Sequence, residues 1–137
     1  MKQVFVDTNI LVDFLADRKP YSKAATELFE RAEKGNLKLY TSSHSFATTH
    51  YLLKKYKGEE ALRTLLTSLL DLIEIIPIDG FIIKKSLVSK HKDFEDAVQI
   101  LAANTIRTLD FITTRNLKDF KDAGITVLPP DELLNYL

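Results

Sequence analysis

Cysteine is absent from the 137 residues, which excludes a disulfide framework, a thiolate metal site and a cysteine nucleophile, and fits a reducing cytoplasm. An excess of one charge is lacking too, because 19 basic and 19 acidic side chains cancel. Composition therefore supplies no broad positive field of the sort that marks many sequence-independent nucleic-acid binders, and a nucleic-acid substrate must be argued locally. Glycine is scarce. Its four positions, Gly35, Gly58, Gly80 and Gly124, form neither a G-x-G-x-x-G fingerprint nor a phosphate loop, so a dinucleotide-binding reading fails. No window approaches about 18 uninterrupted apolar residues, and residues 1–6 hold no basic run followed by a long apolar stretch. The expectation is a soluble cytoplasmic protein with no membrane association and no cleaved export signal.

With 45% hydrophobic and 28% charged residues, the chain can bury one core and is too short for two ordinary domains, so residues 1–137 are expected to form one domain. Val4, Phe5 and Val6 make a β-branched and aromatic run that ends at the polar triplet Asp7-Thr8-Asn9. This reads as a buried strand with Asp7 at its C-terminal end. Two helices follow, one through Ile10, Leu11, Phe14 and Leu15, the other through Ala24, Ala25, Leu28, Phe29 and Ala32 before a stop at Gly35.

Leu37-Lys38-Leu39-Tyr40-Thr41 alternates as a strand, and Ser42 or Ser43 can cap a helix reaching about Lys57. Residues 61–72 read as an amphipathic helix, residues 73–78 as a strand broken by Pro77, and Asp79 as the cap of a further helix. Asp93 opens a helical pattern with Ala97, Ile100, Leu101 and Ala103. Phe111-Ile112-Thr113 and Ile125-Thr126-Val127-Leu128 supply the fourth and fifth strands, and Asp131 caps a last helical turn. Strands alternating with helices predict an α/β fold with a central, mainly parallel five-stranded sheet and helices on both faces. In such folds the site lies at the C-terminal ends of the strands.

Three clusters fall there: Asp7-Thr8-Asn9, Asp93 to Asp96, and Arg115-Asn116 after Thr114. Asp93 and Asp96 are three apart and would share a helix face, so two carboxylates could meet one ion. Hard cations such as Mg²⁺ or Mn²⁺ take oxygen ligands through one or two carboxylates plus waters and substrate phosphate, which suits Asp7, Asp96 and Asp93. A bound cation of this kind acidifies a water and neutralises charge at phosphorus. Each residue alone also has a plainer reading: Asp7 as a turn or cap residue, Asp93 as the cap of a helix whose first turn carries Glu95 and Asp96. His44 and His50, six apart, make no zinc set and read as structural or solvent-facing. The lysine groups read as solvated faces, with Arg115 placed to touch a phosphate.

Taken together, these segments resemble the PIN domain family, the fold of many VapC-type ribonuclease toxins, over essentially the whole chain. Residues 4–13 resemble its opening motif, which implies that Asp7 binds metal and that Thr8 and Asn9 support it. Residues 96–103 resemble its third acidic motif and imply a metal-ligand role for Asp96, with Asp93 as an additional carboxylate. Residues 111–120 resemble the final motif, with Thr114 matching its hydroxyl, Asn116 where many members carry a fourth acid, and Asp119 nearby. The second motif, beginning at Ser42, departs from the pattern: Thr48 or Thr49 stands where members usually carry Glu.

The resemblance implies an Mg²⁺- or Mn²⁺-dependent endoribonuclease, a toxin paired with an antitoxin protein, and a homodimer. The second reading is a PIN-fold protein that has lost turnover and acts by binding RNA or protein. A third, a haloacid dehalogenase-like phosphatase or a receiver domain, is disfavoured. The first wants a second Asp where Asn9 stands, and the second wants adjacent acids before Asp7.

Overall fold

The structure is a computed structural model describing residues 1–137. Its elements run β1 (Lys2–Val6), α1 (Thr8–Leu15), α2 (Ser22–Glu33), β2 (Leu37–Ser42), α3 (Ser43–Leu53), α4 (Glu59–Leu69), β3 (Ile73–Ile76), α5 (Gly80–Leu87), α6 (Phe94–Asn104), β4 (Phe111–Thr113), β5 (Thr126–Leu128) and α7 (Pro130–Leu133). Short 3-10 turns span Leu117–Phe120 and Leu134–Tyr136. The five strands are ordered β3-β2-β1-β4-β5 and every neighbouring pair is parallel. The expected α/β class therefore holds, with a sheet that is wholly rather than mainly parallel.

Alternation along β1 splits the core in two. Val4 and Val6 face a cluster built with Ile10, Leu11, Leu28, Leu62, Leu66 and Leu133 from α1, α2, α4 and α7, whereas Phe5 faces Tyr40, Ile100, Ile112 and Phe120 on the other side. Because successive strand side chains point to opposite faces, three adjacent residues anchor both helix layers. All three are fully buried, as befits the middle strand of a parallel sheet.

Most departures from the sequence reading lie at helix ends. Helix α3 stops at Leu53 rather than near Lys57, because its last buried position is Leu53 and the following lysines have no face to pack. Helix α4 begins at Glu59, where Gly58 adopts the extended cap conformation and two acids occupy the first turn, favoured by the helix dipole. Gly35 closes α2 in the left-handed region at φ +79, the conformation for which glycine avoids a Cβ clash. No helix is long and apolar enough to cross a membrane.

Candidate active site

Strands β1 and β4 lie side by side in parallel, pairing Val6 with Thr113, so the chain leaves both strands at the same edge of the sheet. This is the switch point of the topology, since β2 and β3 extend to one side of β1 while β4 and β5 extend to the other. Asp7 caps α1, its Oδ1 accepting the Thr8 backbone N–H at 2.8 Å. Its Oδ2 accepts the Thr114 hydroxyl at 2.8 Å across the two strands. Asn9 ties the same loops together, donating through Nδ2 to Thr114 Oγ1 at 3.3 Å and accepting the Arg115 backbone N–H at 3.4 Å. The Asn116 N–H completes the turn by donating to Thr114 Oγ1 at 3.0 Å.

Helix α6 brings the second carboxylate. Asp7, Thr8, Asn9, Asp96 and Asn116 line one open cavity of about 250 Å³, together with Thr48, His44, Gln99, Arg18 and Glu95. Ser42 lies beneath it as the cap of α3, accepting the Ser45 N–H at 2.9 Å. Asp93 is not part of that lining. It is the extended residue before α6, and its Oδ1 accepts the Asp96 backbone N–H at 3.0 Å. As the cap, the Asp93 side chain turns back over the first backbone N–H groups of α6, while its charge is still felt at Asp96. No three His, Cys, Asp or Glu side chains gather closely enough to hold an ion among themselves.

Arg115 also differs from its expected place. Its Nε and Nη2 donate to Asp13 at 2.6 and 3.1 Å, and its guanidinium lies 3.9 Å from the centre of the Tyr21 ring. Bound on two sides, it secures the turn after β4 rather than facing the cavity. Asp119 stays outside the lining, but its charge reaches both Asp7 and Asp96.

The electrostatics single out the two lining carboxylates. Burial raises the Asp7 carboxyl above the ordinary value, against the hydrogen bonds from Thr114, Thr8 and Gln99 that favour its charged form, and the Asp119 charge adds to the rise. Desolvation, followed by repulsion from Asp93, Asp119, Asp7 and Glu95, pushes Asp96 up to about 7. Although the Arg18–Asp13 and His44–Glu95 pairs reach the same cavity, neither Asp7 nor Asp96 takes part in an ion pair. Two carboxylates lining one open cavity, neither bonded to a cation, fit a hard divalent cation that keeps several waters.

Two lining residues escaped the sequence reading. Arg18 reaches the cavity from beyond α1, held by Asp13 at 3.0 Å, and no periodicity marks it. Gln99 carried a usable signal: it stands three residues after Asp96 and is the only polar residue among the buried positions of α6. His44, structural or solvent-facing by its spacing, also lines the cavity, beside Glu95 with 3.8 Å between Nε2 and Oε2.

A family model described as PIN domain matches residues 3–118, and the chain belongs to that family. "Ribonuclease VapC1" of Aquifex aeolicus is 27% identical over 136 residues, covering 96% of this chain and 92% of that protein. Among solved structures, a toxin-antitoxin complex from Klebsiella pneumoniae superposes with a TM-score of 0.67 at 30% identity, covering 93% of this chain and 97% of the other. VapC20 of Mycobacterium tuberculosis, described as a sarcin-ricin loop cleaving toxin, gives a TM-score of 0.70 at 18% identity over 93% and 99% of the two chains. That last likeness speaks for the fold alone.

Proposed function

We propose that this chain is an endoribonuclease that hydrolyses phosphodiester bonds in RNA with water, using Mg²⁺ or Mn²⁺ held by Asp7 and Asp96. The observation that carries the reading is the convergence of these two carboxylates, without a cationic partner, in one cavity at the switch point of a parallel sheet. When bound, the cation supplies a water of lowered pKa and a positive charge against the phosphate oxygens. The chain's own residues do the positioning. Thr114 and the Thr8 N–H fix the Asp7 carboxylate, and Asn9 locks the loop after β1 to the loop after β4.

Asn116 lines the cavity as a neutral donor and acceptor for a phosphate or ribose hydroxyl, and Arg18 is the cation of the lining that can meet a phosphate. Relatives described as a ribonuclease and as a toxin-antitoxin complex support assigning the chain to the toxin half of such a pair, cytoplasmic, homodimeric and restrained by an antitoxin protein. Purified protein is expected to cleave RNA in Mg²⁺ or Mn²⁺ and to lose this in Asp96→Asn. Absence of cleavage in either metal would sink the proposal.

One observation favours a second reading. Thr48 and Asn116 line the cavity, and the family resemblance implies acids at Asn116 and at Thr48 or Thr49 in fuller sets, so the site's charge and its hold on an ion are lowered. A PIN-fold binding protein without turnover would take up RNA or a protein partner with no saturable metal binding at Asp7 and Asp96. Calorimetry with Mn²⁺ separates the two.

A further inference from the structure

We propose that Gln99 is the positioning residue that holds Asp7 in its metal-binding orientation without neutralising it. The inference rests on the metal-dependent reading above. Gln99 is buried, 4% exposed, among Ala97, Val98, Ile100, Ala102 and Ala103 on α6, where an aliphatic residue would pack without cost. A buried primary amide is unfavourable unless its donors and acceptor are used, and the partners of this one are Asp7 and two serines at the start of α3. Its Nε2 donates to Asp7 Oδ1 at 3.4 Å and to Ser45 Oγ, and its Oε1 accepts the Ser42 hydroxyl. Ser45 in turn accepts the Thr8 hydroxyl at 2.8 Å.

The chemistry fixes which end of the amide faces which partner, since an ionised carboxylate can only accept and so must see nitrogen. The choice of an amide also has a consequence for charge. A lysine or arginine reaching Asp7 would hold it equally well but would compete with the cation, whereas Gln99 leaves the full negative charge in place. One side chain thereby joins the start of α3 to the end of β1, three residues along α6 from Asp96. Groups that orient a metal ligand through hydrogen bonds typically change affinity by about 10- to 100-fold when removed.

The test is Mn²⁺ titration of the whole chain by calorimetry, with thermal unfolding run in parallel. Gln99→Met keeps the volume and removes every hydrogen bond, and is expected to raise the Kd for Mn²⁺ about tenfold while unfolding stays cooperative. Gln99→Asn, which keeps the amide but draws it back from Asp7, is expected to weaken Mn²⁺ binding in the same direction and serves if the Met variant does not fold. A purely structural role would lower Tm and leave Kd unchanged in the folded variants, and that result overturns the inference while leaving the metal reading intact. Failure of the unaltered chain to bind Mn²⁺ overturns both.

Discussion

Asp96→Asn should make the metal-free protein more stable at neutral and alkaline pH, although it removes a carboxylate of the proposed metal site. The carboxyl is pushed from 3.8 to about 7 by desolvation and by the charges of Asp93, Asp119, Asp7 and Glu95, so folding favours its neutral form. A rise of roughly three units corresponds to about 4 kcal/mol at 1.36 kcal/mol per unit. Asp96 is only half-buried, and solvent screening brings the expected gain down to about 1–2 kcal/mol.

The sign follows from linkage. A carboxylate with a raised folded-state pKa destabilises the fold once it ionises, so the penalty is absent below about pH 4, grows between 4 and 7, and is complete above 7. Asparagine has the same shape and no charge, so its advantage should follow that curve. Differential scanning calorimetry in chelator across pH 4–9 should show a Tm increase of roughly 3–8 °C at pH 8 that vanishes near pH 4. Saturating Mn²⁺ should reverse the order, because the wild-type chain gains about 2.7 kcal/mol at a hundredfold excess over Kd and the variant does not. A gain that is constant with pH, or no gain at pH 8, would refute the charge-repulsion argument.

The remaining predictions concern neighbouring groups. Asp13, fully buried and held by Arg18 and Arg115, should destabilise the protein by about 3 kcal/mol or more when changed to Ala, because two guanidinium groups lose their carboxylate; urea denaturation measures this. Asp93→Ala should lower stability by about 1 kcal/mol through loss of the α6 cap and leave the Mn²⁺ Kd unchanged, whereas a loss of affinity of tenfold or more would return Asp93 to the ligand set. Asp7→Asn should abolish saturable Mn²⁺ binding in calorimetry, and chelator should stop RNA cleavage by the wild-type chain, with activity returning on addition of Mg²⁺.

How much of this was legible beforehand follows the range of each interaction. The strand ends at Asp7 and Thr113 could be read because apolar β-branched runs stop at polar residues, a pattern contained in a few positions. The cap at Asp93 was legible for the same reason, and the structure has that cap. The bidentate Asp13–Arg115 pair spans 102 residues, and no local period could reveal that Arg115 turns away from the cavity. Gln99 lies between these cases. Its polar character on an apolar helix was visible, but its partners Ser42 and Ser45 are 57 and 54 residues distant.

The bond between Asp7 and Thr114 joins residues 107 positions apart, and β1 is flanked by β4 only after all of the chain between them has been made. Contacts of such long sequence separation form slowly relative to local helices. A ribosome producing this protein therefore carries a chain whose two carboxylates are not yet neighbours for most of the synthesis. The Asp7 carboxylate gains its Thr114 partner only once β4 docks beside β1, so under the proposed function the parallel topology would delay a competent site until the chain is nearly complete.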